Sequence, residues 1–149
     1  MSTVQTPLAA LTDPVAQTLL QSTIPAHLAY VADDGAPRVI PIWFHWTGEE
    51  MVFGSPSTAP KAKFVRSGAP VTVTIDTITW PYKVLQLRGT AQVSTVAGVV
   101  PEYAAAARRY FGEEQGKAWV QQVGGLFSTM TRIAVRPTWV NILDFEQRF

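Results

Sequence analysis

The sequence predicts a mainly β protein with appended helices, folded as an antiparallel barrel of six strands, and three observations carry that expectation. Stretch after stretch alternates apolar and polar residues at period two, the pattern of strands with one buried face. Short turns such as ADDG and TGEE join most of these stretches. The helical patterns sit beside the strand series rather than between each pair, which argues against a doubly wound parallel sheet.

Residues 1–12 carry no strong pattern and read as a flexible arm, leaving 13–149 as one domain. Asp13 before Pro14 is a helix start, with Val15, Leu19 and Leu20 as the apolar stripe of a short helix ending near Ser22. Ala26 to Val31 and Arg38 to Trp46 flank an Asp-Asp-Gly turn and read as a hairpin. The second of these, RVIPIWFHW, is largely apolar on both faces: Val39, Pro41, Trp43 and His45 on one, Arg38, Ile40, Ile42, Phe44 and Trp46 on the other. Something must cover its second side. MVFGS is a third strand, followed by SPSTAPKAKFVRSGAP, where Lys61, Lys63 and Arg66 fall on an expected short helix.

VTVTIDTIT is a fourth strand with Val71, Val73 and Ile75 on one face, and WPY breaks it from the fifth, KVLQLRGTAQVST. There Val84, Gln86 and Arg88 oppose Leu85 and Leu87, and Lys83 at the strand entrance reads as solvated. Pro101 to Val123 is the longest helical pattern, with Tyr103, Ala107, Tyr110 and Phe111 at helical spacing and breaks expected at Gly112 and Gly116. RIAVRPTWVNILDF closes the chain as a sixth strand divided by Pro137.

At 149 residues the chain is long enough to bury one real core. Twelve basic against eleven acidic residues leave a net charge of +1 without runs, which argues against nucleic acid and against an anionic membrane surface. There is no cysteine, so disulfides, thiolate nucleophiles and Cys-based metal centres are excluded. The absence of a membrane-length apolar run and of a signal-peptide pattern points to a cytoplasmic protein.

No GxGxxG, Walker or GxSxG motif occurs. His27 and His45 share no motif with an acid and read as packed or hydrogen-bonded histidines rather than metal ligands. Asp33, Asp34, Glu49 and Glu50 are turn residues, so no acid pair suits hydrolytic chemistry. Catalysis, if present, therefore belongs to a cofactor. The best candidate to hold one is FGSPSTAPKAKFVR: a strand end, Gly54 for close approach, the hydroxyls of Ser55, Ser57 and Thr58, then Lys61 at a helix start. Arg38 is placed to reach the same anion.

The ordered set of a DG turn, RVxPxW, FGxP, a lysine heading a helix, VTVTID and a strand ending in RG-A resembles the FMN-binding split β-barrel family of pyridoxamine 5′-phosphate oxidase and its flavin and deazaflavin reductase relatives. The resemblance spans roughly residues 24 to 94 and extends more weakly to the closing strand. It implies a six-stranded Greek-key split barrel that forms a homodimer with the cofactor at the subunit interface. It implies FMN, or alternatively the deazaflavin coenzyme F-420, serving hydride transfer with a small organic substrate. A non-catalytic flavin- or haem-binding protein is the remaining alternative.

By position, the resemblance puts Arg38 and Lys61 on the cofactor phosphate, Lys63 nearby, and the backbone of Val39, Ile40 and Pro41 beside the ring system. Phe53, Gly54 and Ser55 match the strand-end segment against the ring, Gln86 a ring contact, and Trp139 a cover from the second subunit. Ala59 and Pro60 stand where relatives carry Ser-Arg, so Ser57 and Thr58 are the substitutes on offer.

Overall fold

The computed structural model describes residues 6–59 and 65–148. Thr6 caps a helical turn, α1 (Pro7–Ala10), and the Asp13 carboxylate accepts from the Val15 N–H at 2.8 Å to start α2 (Pro14–Leu20). Leu11, Ala16, Leu19 and Leu20 are buried, so part of the expected arm is tied to the core. The hairpin forms as β1 (Ala26–Val31) and β2 (Pro37–Ile42) around Gly35, whose φ of +80° suits a residue without a Cβ.

RVIPIWFHW is not one strand. It divides at Trp43 and Phe44 into β2 and β3 (His45–Trp46), and β3 pairs with β4 (Met51–Pro56) instead of with β1. With β5 (Pro70–Asp76), β6 (Lys83–Ala97) and β7 (Thr129–Asp144), the sheet has seven antiparallel strands in the order β2-β1-β5-β6-β7-β4-β3. The expected six-stranded closed barrel is corrected accordingly: no ladder joins β2 to β3. These two edge strands are nevertheless consecutive in the chain, and three Cα steps from Ile42 to His45 span at most about 11 Å. The sheet must curl until its edges come that close. Pro37 and Pro41 lie on the β2 edge, where a missing N–H costs least.

The inner face of the curl carries the core: Leu28, Phe44, Met51, Phe53, Val73, Ile75, Leu85, Leu87 and Ile133 are all buried. β7 runs unbroken past Pro137, which sits at a bulge rather than at a division. Gly89 pairs with Pro137 and Arg88 with Trp139, so Thr138 is the extra residue, and its hydroxyl donates to the Arg88 carbonyl at 3.3 Å.

The expected long helix is α3 (Pro101–Phe111) and α4 (Glu113–Leu126). Gly112 breaks them at φ +89°. Gly116 does not break anything: it lies inside α4, where an added Cβ would sit 2.6 Å from Cα of Arg108, so its role is close helix contact. The chain ends its described part in a last turn, α5 (Phe145–Arg148). The expected short helix around Lys61 and Lys63 lies outside the described residues.

The outer face of the sheet is treated in two ways. Over β4 and the first half of β7, Val52, Met130 and Ala134 are buried with Val100 and Val123 under α3 and α4. Over β2, β1, β5 and β6 no helix among the described residues packs on the outward residues, and Val31 and Val39 are exposed.

Candidate functional site

Where the end of β2 faces β4 and the helices, a cavity of about 330 Å³ opens, lined by Pro41 and Trp43, by Gly54 and Pro56, and by Tyr103 and Trp119. That volume lies at the lower end of the roughly 300–1,000 Å³ range of small-molecule sites. RVIPIWFHW and FGSP, separated in sequence by TGEEMV, thus meet at one opening. Gly54 is required there: a Cβ would lie 2.7 Å from Cβ of Tyr103, whose ring packs over the strand.

The walls are aromatic. Trp43 stacks on Tyr110 with centroids 5.0 Å apart and planes at 11°, meets Phe111 edge-on at 4.9 Å and lies 5.8 Å from Tyr103. Trp119 meets Phe111 edge-on at 6.1 Å, and its Nε1–H donates to the Tyr103 hydroxyl at 2.8 Å. Burial pushes the Tyr103 phenol up from its ordinary value, outweighing the Trp119 bond, so the phenol is protonated at neutral pH.

Behind this wall, Arg109 ties the helix to the strand crossover. Its Nε donates to the Ser22 carbonyl at 3.0 Å, one terminal nitrogen donates to the Phe44 carbonyl, and the other lies 3.5 Å from Nδ1 of His45. Burial and then the Arg109 charge hold His45 below its ordinary value, against an opposing pull from Glu102. Glu102 is itself bound by Arg132 at 3.0 and 3.2 Å, and that bond lowers its carboxyl.

The residues singled out in the sequence separate into groups. Pro41 and Gly54 line the cavity. Phe53, Ser55 and Ile40 do not present side chains to it: Phe53 and Ser55 are buried, with the Ser55 hydroxyl on the Pro56 carbonyl at 3.3 Å, and Ile40 packs on the core. Ser57 accepts from Thr129 at 3.2 Å and Thr131 at 3.4 Å, while Thr58 is exposed. Arg38 lies at the far end of β2 from the cavity, with its guanidinium 3.3 Å from Asp34. Lys61 and Lys63 fall outside the described residues.

Val39, Gln86 and Trp139 share the bare outer face. The register aligns Val39, Ala29, Thr72, Arg88 and Trp139 in one row across five strands, with Pro41, His27, Thr74, Gln86 and Asn141 in the next. Arg88 stacks on Trp139 at 4.3 Å and Asn141 donates to Gln86 at 3.1 Å. Pro41 therefore belongs both to this face and to the cavity. Lys83 is not simply solvated; it is held by Asp144 at 2.5 Å and Glu146 at 2.7 Å.

Sequence reasoning passed over Tyr103 and Trp119 as site residues. The signal available was the run of aromatic residues at helical spacing, which reads equally well as core. Among the described residues no group of three His, Asp or Glu side chains is placed to hold a metal ion. No described helix is long and apolar enough to cross a membrane.

No protein-family model matches the sequence, and no curated protein matches it. Solved structures do. An F420 reductase superposes with a TM-score of 0.64 at 26% identity, covering 84% of this chain and 94% of that one. A conserved hypothetical protein of Mycobacterium tuberculosis gives 0.70 at 17% identity over 98% of this chain and 92% of its own. HutZ, the haem storage protein of Vibrio cholerae, gives 0.64 at 16% identity over 87% and 93%. The mainly β, antiparallel architecture with appended helices is the split-barrel-like fold of these neighbours, here as an open seven-stranded sheet.

Proposed function

We propose that the protein is a cytoplasmic oxidoreductase that binds a flavin-type ring cofactor and moves hydride between it and a small organic molecule. The observation that carries this reading is the aromatic cavity joining the two segments singled out as cofactor contacts, Pro41 on β2 and Gly54 on β4. The likeness to an F420 reductase at 26% identity favours the deazaflavin coenzyme F-420; FMN is the second reading, favoured by the resemblance of Arg38 and Lys61 to phosphate contacts.

The residues present fit such a group. Ring walls of Trp43, Tyr103 and Trp119 suit a flat conjugated molecule, and Gly54 keeps the β4 wall free of a side chain. Bound there, the cofactor would supply the hydride chemistry, which accords with a cavity whose described lining contains no carboxylate. Arg38 is paired with Asp34 in an exposed ion pair of a kind worth little.

The cofactor site is completed by a second copy of the chain. The bare outer face, with Val39 and Trp139 in one row, supports a homodimer that places the cofactor at the subunit interface. Parallel titrations with F-420 and FMN, followed by absorbance and fluorescence, test the reading. Binding of either is expected, weakened about tenfold or more by Arg38→Ala and by Lys61→Ala, the worth of a bond to a charged group. A protein that binds neither ends it.

A further inference from the structure

The cavity beside β4 has walls of one chemistry and, among the described residues, two side-chain donors not spent on the protein, the Trp43 indole N–H and the Tyr103 O–H, of which Tyr103 is the one oriented by a neighbour. Trp43, Tyr103 and Trp119 offer ring surface, and Pro41 and Pro56 offer apolar edges. A flat, apolar guest fits such walls best, because ring faces gain most from parallel or edge contact.

The two tyrosines of α3 use their hydroxyls differently. Tyr110 donates to the Ile24 carbonyl at 3.0 Å and is spent on holding the helix to the chain entering β1. The Tyr103 hydroxyl accepts from Trp119 Nε1–H at 2.8 Å and, among the described residues, donates to nothing. A phenol carries one proton to give in addition to its lone pairs. The indole bond occupies a lone pair, orients the hydroxyl and polarises its O–H, which strengthens the bond that O–H can make. Half-buried at the cavity wall, this is a donor without a protein acceptor among the described residues, open to a guest in the cavity.

We infer that the cavity recognises a planar conjugated ring carrying an acceptor oxygen or nitrogen at its edge, with Tyr103 as the specificity-determining donor and Trp119 as the residue that orients it. The inference rests on the ring-cofactor reading only for the natural guest's identity. The cofactor's own ring and a separate ring substrate offer the same chemistry to Tyr103.

Quinoline and naphthalene test it, since they share a shape and differ by one ring nitrogen. Equilibrium dialysis of both against the protein is expected to show quinoline held about five- to tenfold more tightly, the worth of one neutral hydrogen bond. Tyr103→Phe keeps the ring and is expected to erase that preference while leaving naphthalene affinity unchanged; Trp119→Phe is expected to reduce it. Near-ultraviolet circular dichroism and the urea midpoint check that both variants fold.

Equal affinity for the two probes in the wild type, no binding of either, or a full preference surviving in Tyr103→Phe overturns the inference. The probe preference persisting in a protein that binds neither F-420 nor FMN would sink the cofactor reading and leave this one standing. Displacement of quinoline by a cofactor identifies the cofactor ring as the natural guest. Retention of quinoline by cofactor-loaded protein identifies a ring substrate.

Discussion

The two halves of the sheet's outer surface begin with similar residues and end in opposite states. Val52 and Ala134 point outward from β4 and β7 and are each 1% exposed, because α3 and α4 lie over them. Val39 and Val31 point outward from β2 and β1 and are 63% and 57% exposed. A valine on a strand is equally content with either fate, so the difference comes from where the helices dock. The covered half gains a cavity with oriented donors; the bare half keeps an apolar row that a second chain is proposed to cover. Residues expected to share one cofactor are thereby divided between the halves, with Pro41 at their junction.

A matched pair of substitutions breaks this comparison most directly. Val52→Asp buries an uncompensated charge beneath the helices and is expected to cost about 4 kcal/mol or more, read as loss of the cooperative urea transition or a large fall in its midpoint. Gly54→Ala is the next largest. Its methyl group would meet Tyr103 at 2.7 Å and force α3 away from the strand, for about 1–3 kcal/mol by urea denaturation and loss of quinoline binding by dialysis. Unchanged binding in Gly54→Ala would show that Tyr103 does not need its seat on β4.

Acid should loosen the covered half. His45 is held below its ordinary value of 6.5 by burial first and by Arg109 second, so below that pH the unfolded chain takes up the proton before the folded one does. Stability is thus expected to be complete above about pH 6.5 and to fall as the pH drops below it, until the folded histidine is also protonated. Urea midpoints between pH 7.5 and 5.5 should show that slope in the wild type and a shallower one in His45→Asn. Identical slopes would remove His45 as the cause.

Val39→Asp, the partner of Val52→Asp, is expected to give the smallest effect on the single chain, within about 0.5 kcal/mol. Its consequence should appear in sedimentation velocity instead, as loss of the proposed dimer. If the variant sediments as the wild type does, the bare face is not the interface.

Several elements were legible because their causes are local. The Asp13-Pro14 start, the Gly35 turn, and the alternation of Val71, Val73 and Ile75 against Leu85 and Leu87 all appear where expected. Gly112 broke the helix as its sequence position implies, whereas Gly116 did not, because its small size serves a contact with Arg108 from the preceding helix. RVIPIWFHW was misread as one strand for a related reason. Both of its faces are largely apolar, and nothing within nine residues says that the chain crosses at Trp43 and Phe44 from one sheet edge to the other.

By itself the sequence determined a mainly β fold, most of the strands and the capped α2. Tertiary structure alone decided that the described residues form seven strands in an open curl, that helices cover one outer half, and that the Tyr110 hydroxyl donates to a carbonyl while that of Tyr103 accepts from Trp119. Periodicity and capping act over a few residues and leave their mark in them. Which apolar face is covered, and which hydroxyl finds an acceptor, depends on groups brought together from distant parts of the chain.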